Sequence, residues 1–274
     1  MELKATSWSL DGEVATVALS RPHRANAWTG RMHAEYRWIM AELEPRDDVR
    51  AVVVTGEGRA FCVGGDADAL RGHVERGSYD TGLPAEHASP GRDDPRLDAD
   101  FSWQLAYRHP IVAAVNGACA GVGLALVLFC DLRFVSASAK LTTAAPKLGL
   151  PAEYGMSWTL PRLVGATRAA DLLLSGRVVT GAETADWGLW NQVLDDGPAT
   201  LEAARAWAAQ LAATTGPEAV RATKRQLVDD LLRHDPASSV RDSLRLMDAA
   251  MSTAEYAEGI AAFGEGRPPR FSGA

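Results

Sequence analysis

The chain has 274 residues and a mass of 29.2 kDa, a length typical of one large domain or two modest ones with a sizeable core. Its composition, 47% hydrophobic and 23% charged, excludes disorder and a coiled coil as overall descriptions. The net charge of −7 and the pI near 5.4 argue against a nucleic-acid partner held by the overall field, although a local basic pocket for a small phosphate is compatible with them.

The cysteines and histidines show no pattern of a disulfide framework or a metal site. Cys62, Cys119 and Cys130 are widely spaced and include no CxxC pair, which indicates reduced thiols in a cytoplasmic protein. No metal site is predicted, because the histidines also lack metal-ligand spacing. We expect each of them to be a surface or structural residue, at positions 23, 33, 73, 87, 109 and 234.

Two segments bear on secretion and on the membrane. Residues 1–10 mix acidic, basic and polar side chains without an apolar stretch, so we expect no secretory signal. Residues 111–130 are uncharged over the length of a membrane span, but they contain Asn116 and three glycines. A buried strand, a glycine turn and a buried helix fit this composition better, and we predict no membrane partner.

The elements begin with a hairpin: residues 6–10 and 14–19 flank Asp11-Gly12, a pair typical of tight turns. Apolar residues at helical spacing predict a helix from Thr29 to Pro45, and the apolar residues 51–55 predict a strand covered on both faces. The patterns that follow predict a helix at about 95–107, a strand at 111–115, a helix at 122–129, a strand at 132–136, and helices at 155–163 and 166–174.

The end of the chain is predicted to be helical. A capping-box pattern at residues 180–183 indicates a helix start, and after Pro198 the chain is almost purely helical. This division predicts an α/β core at residues 1–197 and a helical region at residues 198–274. Residues 71–100 lack an apolar period and are interpreted either as a mobile surface excursion or as a lid beside a pocket.

Two glycine segments follow predicted buried strands, whereas the common nucleotide, zinc-peptidase and serine-hydrolase motifs are absent from the sequence. The segments are AFCVGGDAD at residues 60–68 and VNGACAGVGLA at residues 115–125, the second leading directly into a helix. Free amides at two such turns can converge as an oxyanion hole. Glycine turns also occur as tight packing corners, so the pattern alone leaves both interpretations open.

The residues themselves resemble the crotonase superfamily, the enoyl-CoA hydratases and isomerases. Five segments match the family's motifs in order along nearly the whole chain. They are RPHRANA at 21–27, AFCVGGD at 60–66, AAVNG at 113–117 with Gly121, Gly123 and CD at 130–131, LGL at 148–150 with WTLPRLVG at 158–165, and EGIAAF at 258–263 through Phe271.

The resemblance implies a fold, a ligand and an assembly. The fold is α/β, a crotonase-like spiral of ββα units with a C-terminal helical region that mediates trimerisation, so the partners would be an acyl-CoA thioester and further copies of the chain in a homotrimer or hexamer. By position, the Gly65 and Val122 amides would stabilise a thioester enolate. Substrate or CoA contacts would fall at Arg24, Ala25, Ala27, Val63, Asp66, Ala67, Gly121, Ala145 and Pro146.

The chain departs from the family's hydratases at both catalytic positions. Those enzymes use two glutamates to activate water and to protonate the α-carbon, and this chain has Ala125 and Ala145 there. Neither alanine can transfer a proton. Glu153 falls where certain isomerases of the family place their single acid/base, and its alternative interpretation is a surface or helix-N-terminal glutamate.

These observations predict an acyl-CoA enzyme that shifts the double bond of an enoyl-CoA, with Glu153 as acid/base. Such proton transfer requires no metal or redox cofactor, since CoA enters as part of the substrate. One alternative is a hydratase or related lyase that uses Glu153 with a non-standard second group. Another is a non-catalytic acyl-CoA-binding protein.

Overall fold

The computed structural model describes residues 1–76, 90–91, 94–233 and 235–271. Ten strands run through these residues: β1 Thr6–Asp11, β2 Val14–Leu19, β3 Ala51–Gly56, β4 Ala60–Cys62, β5 Ile111–Val115, β6 Ala118–Ala120, β7 Leu132–Ser136, β8 Lys140–Thr142, β9 Val179–Thr180 and β10 Gln192–Leu194. The α-helices there are α1 Gly30–Leu43, α2 Ala67–Arg76, α3 Trp103–Ala106, α4 Val122–Leu128, α5 Met156–Val164, α6 Ala166–Ser175, α7 Gly197–Thr214, α8 Pro217–Leu231, α9 Pro236–Ala250 and α10 Ala254–Glu265. Short 3-10 helices cover Pro22–Arg24, Ala145–Leu148 and Ala182–Thr184.

The strands form two sheets that the chain visits alternately. The larger has the order β1-β2-β3-β5-β7-β10, with β1 and β2 antiparallel and the other neighbours parallel. The smaller has the order β4-β6-β8-β9. Because β3, β5 and β7 enter the first sheet and β4, β6 and β8 the second, each β–β pair advances the chain by one turn of a spiral. A helix or 3-10 helix closes each pair, which confirms the expected α/β spiral of ββα units.

The larger sheet is covered on both faces, as the fully apolar pattern of β3 predicted. On one face its side chains join a core with Met32, Tyr36 and Ile39 of α1 and with the apolar residues of α4. On the other face Val53 and Val112 pack against Ala204 and Ala208 of α7. Residues after 197 therefore contribute to the sheet's packing, and the division at that point stays a prediction.

The hairpin, the buried strands and most helices lie within two residues of their predicted positions. The helix predicted at about 95–107 is wrong, since only Trp103–Ala106 is α-helical there. Phe101, 1% exposed, has φ 63° and interrupts any helix at that point. The capping box forms at Thr180 and Glu183, with mutual hydrogen bonds of 2.7 to 3.2 Å, but it opens a three-residue 3-10 helix.

The segment interpreted as an excursion or a lid falls mostly outside the described residues, at 77–89 and 92–93. Its first part belongs to α2, which the sequence pattern did not predict. In the region predicted to cross no membrane, residues 111–130 form β5, β6 and α4. None of the helices in the described part of the chain is both long and apolar enough to span a bilayer.

A buried lysine joins the C-terminal helices to this core. Lys224 of α8 donates to the Asp131 carboxylate at 2.7 Å and to the carbonyls of Gln104 and His109 at 3.1 and 3.0 Å. Asp131 also accepts the N–H of Ile111 at 2.7 Å. The Asp131 carboxylate therefore connects β5 to α8.

Candidate active site

The two glycine segments meet where β4 and β6 end. The N–H of Trp28 donates to the Gly64 carbonyl at 2.8 Å, and the N–H of Gly121 donates to the Thr142 carbonyl at 3.1 Å. A β-carbon on Gly123 would lie 2.7 Å from Cys62 Cβ, so the start of α4 can approach β4 only without a side chain there. Both segments therefore serve tight packing, which was one of the two interpretations open from their pattern.

Two amides are left free by this packing. Neither the Gly65 N–H nor the Val122 N–H has a hydrogen-bond acceptor among the residues that the structure describes. Val122 is the first residue of α4, and an N–H in the first helical turn has no partner within its own helix. Gly65 and Val122 line the same cavity, so both predicted oxyanion donors are available to a ligand there.

That cavity has a volume of about 140 Å³ and a mainly apolar wall. A cavity of about 150 Å³ accommodates one benzene molecule, which sets the size of a group that fits. Of the residues predicted to bind substrate, Val63 and Gly121 line it together with the two amide donors and Glu153. The complete lining is Trp28, Thr29, Gly30, His33, Val63, Gly64, Gly65, Ala69, Leu70, Gly121, Val122, Ala144, Leu148, Leu150, Glu153 and Tyr154.

Glu153 is the one carboxylate among these lining residues. Its side chain is half-buried, and its carboxylate has no hydrogen bond or ion pair with any residue in the described part of the chain. Burial disfavours the charged form, so the pKa of Glu153 is raised above the ordinary value of 4.5. An unpaired carboxylate with a raised pKa is suited to take up and release a proton.

The backbone around Glu153 is strained in a way that fixes its position. Tyr154 has φ 45°, which is rare for an aromatic residue, and Gly155 follows with φ 71°. The N–H of Met156 then donates to the Glu153 carbonyl at 2.9 Å and starts α5. Ala144 has φ 60° and also lines the cavity. Such conformations concentrate at functional sites because the surrounding structure must hold them.

The two alanines at the hydratase positions offer no chemistry to the cavity. Ala125 lies within α4 and Ala145 begins the 3-10 helix before Gly149, and both are fully buried. Neither is among the lining residues. Pro146, in the same 3-10 helix, packs towards Gly176, where a β-carbon would lie 3.0 Å from its Cγ.

The predicted CoA residues fall at one edge of the site and outside the cavity lining. Arg24 is exposed, with its guanidinium 3.2 Å from the Asp68 carboxylate. Ala25 ends the 3-10 helix at Pro22–Arg24, Ala27 precedes Trp28, and Ala67 begins α2. Because the Arg24 side chain is exposed, its guanidinium is accessible to a phosphate.

Asp66 makes structural contacts. Arg21 donates to its carboxylate at 3.0 Å and to the carbonyl of Ala27 at 2.6 Å, and the N–H of Asp68 donates to Asp66 at 3.0 Å. Burial alone would raise the pKa of Asp66, but these hydrogen bonds and the Arg21 charge lower it overall. The ion pair holds the turn after β4, and thus Gly65, against the segment that carries Trp28.

The aromatic wall of the cavity was not predicted from the sequence. Trp28, His33 and Tyr154 line the cavity, and the rings of all three contact that of buried Phe101, at centroid distances of 5.4 to 6.0 Å. Of the two alternatives expected for His33, a surface or a structural residue, the structure shows a buried one, and its side chain also borders the site. Its place three residues before Tyr36, on the buried face of α1, was the available signal.

The described residues contain no cluster of three or more His, Cys, Asp and Glu side chains arranged to hold a metal ion. The three cysteines are buried and free, and burial raises the pKa of Cys62 and of Cys130 to about 12. At neutral pH these thiols are protonated and packed in the core, which makes them unreactive.

Known proteins resemble this chain over nearly its whole length. It is 32% identical over 266 residues to the 1,2-epoxyphenylacetyl-CoA isomerase of Escherichia coli, covering 95% of each chain. It is 29% identical over 263 residues to the mevalonyl-coenzyme A hydratase of Beauveria bassiana, covering 93% of this chain and 90% of that one. The crystal structure of an enoyl-CoA hydratase from Bacillus anthracis matches with a TM-score of 0.83 at 26% identity, over 99% of this chain and 100% of the other.

The sequence model of one family covers the two glycine segments, Glu153 and the C-terminal helices. It is described as enoyl-CoA hydratase/isomerase and matches residues 10–274. Together with the spiral of ββα units and the two free amides, this match shows that the chain is an acyl-CoA enzyme of the enoyl-CoA hydratase/isomerase family.

Proposed function

We propose that the protein is an enoyl-CoA isomerase that converts 3-enoyl-CoA to 2-enoyl-CoA. The observation that carries the proposal is that Glu153 is the one carboxylate among the described residues lining the cavity with two free amides. Hydration in the manner of the family's hydratases needs two carboxylates at positions held here by Ala125 and Ala145. Double-bond migration needs only one carboxylate.

The proposed reaction is a 1,3-proton shift. The Glu153 carboxylate takes a proton from the α-carbon of the 3-enoyl thioester, and the electron pair moves onto the thioester oxygen as a dienolate. The N–H groups of Gly65 and Val122 stabilise that oxyanion, a contribution of about 3 kcal/mol for one such donor. Glu153 then returns the proton to the γ-carbon, the electrons shift back, and the conjugated 2-enoyl-CoA is released.

The environment of Glu153 supports this role. A carboxylate is a stronger base when burial raises its pKa, and the Glu153 carboxylate is free of any ion pair with the described residues that would offset that effect. The net change is the movement of one proton within the acyl group. The proposed reaction therefore requires no metal or redox cofactor.

The cavity volume and the relatives bear on the substrate. A volume of about 140 Å³ suits an acyl group no larger than about one six-membered ring. One relative is named as a 1,2-epoxyphenylacetyl-CoA isomerase, which supports isomerase chemistry on an acyl-CoA thioester. We infer a short or monocyclic acyl-CoA as the substrate of this chain.

The test compares two carboxylate-to-amide variants. Glu153→Gln should keep the affinity for a saturated acyl-CoA and lower the turnover of 3-enoyl-CoA by at least about a hundredfold, since general acid–base assistance contributes that much. Glu42→Gln, at an exposed position of α1, is the matched control and should retain wild-type turnover. Full isomerase activity in Glu153→Gln would contradict the proposal.

The alternatives give different results in the same assays. A hydratase or lyase with a non-standard second group would convert 2-enoyl-CoA to a hydroxyacyl-CoA at least as fast as it shifts the double bond of 3-enoyl-CoA. A non-catalytic acyl-CoA-binding protein would bind both thioesters without turnover, and its Glu153→Gln variant would behave as the wild type does.

A further inference from the structure

His33 is a side chain in the cavity wall that can exchange a proton, and the proposed isomerase reaction does not use it. It lies in the first turn of α1, whose N-cap Thr29 accepts the N–H of Met32 at 3.2 Å. The imidazole is 5% exposed and lines the cavity. Trp28 and Phe101 enclose its ring, with centroid distances of 5.9 and 6.0 Å.

One edge of the imidazole is held by an acidic partner. His33 Nε2 lies 3.4 Å from Asp100 Oδ1, and Arg37 Nη1 lies 3.6 Å from the same oxygen. The hydrogen bond with His33 is the main reason that the pKa of Asp100 is lowered, so its carboxylate is ionised at neutral pH. Phe101, with its φ of 63°, directly follows Asp100, and its buried ring fixes this stretch against α1.

The other ring nitrogen, Nδ1, is left for a ligand. It has no hydrogen-bond partner among the residues that the structure describes, and His33 has no further ion pair there besides Asp100. His33 borders the cavity, and Nδ1 is the ring nitrogen that Asp100 does not contact.

A polar nitrogen in an apolar wall is costly when its partner is lost and no water replaces it. The side chains that line the cavity around His33 include the apolar Trp28, Ala69 and Leu70. An acyl group made only of carbon and hydrogen would displace water from Nδ1 and leave it unpaired. An oxygen on the acyl group would restore the hydrogen bond.

We propose that His33 Nδ1 hydrogen-bonds an oxygen substituent on the acyl group, so that the pocket selects oxygen-bearing acyl-CoA thioesters. Asp100 fixes the ring by holding Nε2. A neutral imidazole then accepts from a hydroxyl at Nδ1, and a protonated one donates to a carbonyl or ether oxygen. The inference rests on the proposed function only in taking this cavity as the acyl site.

The test measures binding and needs no turnover. Dissociation constants are determined by calorimetry for butanoyl-CoA, phenylacetyl-CoA and their monohydroxylated forms, with the hydroxyl scanned around the chain and the ring. In the wild type, at least one hydroxylated ligand should bind about three- to tenfold more tightly than its parent, the range for one net hydrogen bond. In His33→Leu that ratio should fall to about one, chiefly because the parent thioesters no longer face an unpaired nitrogen and bind more tightly.

Two further variants keep the test decisive if His33→Leu folds poorly. Asp100→Asn should lower the same ratio, since the amide can both donate and accept and no longer fixes the ring. His33→Gln should restore part of the preference. Circular dichroism and affinity for the parent thioesters report whether each variant is folded.

The inference is overturned if no hydroxylated ligand is preferred by the wild type, or if His33→Leu keeps the wild-type ratio. These outcomes are separate from the fate of the isomerase proposal. A preference that depends on His33 would stand even in a protein that did not isomerise 3-enoyl-CoA. Isomerase activity with no such preference would leave the function intact and remove His33 from substrate selection.

Discussion

Glu153 lies directly across from Gly121: a β-carbon on Gly121 would sit 3.7 Å from Glu153 Oε2. Gly121 has φ 48° and ψ −121°, a conformation that residues with a side chain rarely adopt. It also immediately precedes Val122, whose N–H is one of the two free amides. A single glycine therefore links the proposed acid/base to one of the proposed oxyanion donors.

Gly121→Ala tests this link. The β-carbon would strain the backbone and touch the carboxylate, and we expect a loss of about 1–3 kcal/mol in the free energy of unfolding. Because small displacements of reacting groups are costly, isomerase turnover should fall about tenfold to a hundredfold. Gly12→Ala is the control, since Gly12 also has a positive φ but nothing lies within 4 Å of its added β-carbon. An equal loss of turnover in both variants would contradict the link.

The pH dependence of stability reports the burial of Glu153. Its pKa is raised in the folded protein, so the protonated form is favoured by folding. The associated stabilisation is complete below the unfolded-state pKa and is lost as the pH rises through the folded-state pKa. Glu153→Gln, which stays neutral, should therefore gain stability relative to the wild type between pH 4 and pH 8. Urea denaturation across that range measures the difference, and a constant difference would show that the carboxyl group is solvated.

Arg24 provides a test of the predicted CoA edge. Its guanidinium is exposed and 3.2 Å from Asp68, so a phosphate can compete for it. A charge-assisted contact contributes about 1.5–3 kcal/mol, and Arg24→Ala should weaken CoA binding by about tenfold or more at low salt. Asp68→Asn removes the competing carboxylate and should bind CoA at least as tightly as the wild type. An unchanged dissociation constant in Arg24→Ala would remove this residue from the CoA site.

The exposed side chains of the last three helices favour assembly. Large apolar side chains are exposed on α8, α9 and α10, at Leu227, Leu231, Val240, Leu244, Leu246, Met247, Tyr256, Ile260 and Phe263. Exposed apolar surface of this extent marks an interaction site. We expect a trimer or a dimer of trimers in sedimentation velocity, and a shift to smaller species in Leu244→Asp. A concentration-independent monomer of 29 kDa would contradict this expectation.

Local patterns in the sequence predicted most of the strands and helices because each depends on residues close together in the chain. The Asp11-Gly12 turn, the apolar run of β3 and the start of α4 at Val122 are of this kind. The helix at about 95–107 failed because Leu97 and Phe101 are four residues apart, as on a helix face, yet both reach the core from an irregular segment. The cause is the left-handed backbone of Phe101, which no local pattern reveals.

The residues of the site likewise divide into those that a local motif identifies and those that only the folded structure brings together. Gly65, Val122 and Glu153 were assigned from motif positions, and the structure brings all three to one cavity. His33 was set aside because a lone histidine carries no spacing signal. Its pairing with Asp100 joins residues 67 positions apart through the packing of Phe101 against Trp28. Contacts of this kind arise from tertiary structure and could not be predicted from one sequence.

In the proposed reaction one carboxylate shifts a double bond, whereas hydration in the manner of the family's hydratases would need two. The most direct measurement gives the wild-type protein 3-enoyl-CoA and 2-enoyl-CoA of the same chain length and follows absorbance and product mass. We expect 3-enoyl-CoA to be converted to 2-enoyl-CoA far faster than 2-enoyl-CoA gains water. Rapid hydration of 2-enoyl-CoA by the wild type, retained in Glu153→Gln, would contradict both the reaction and the residue assigned to it.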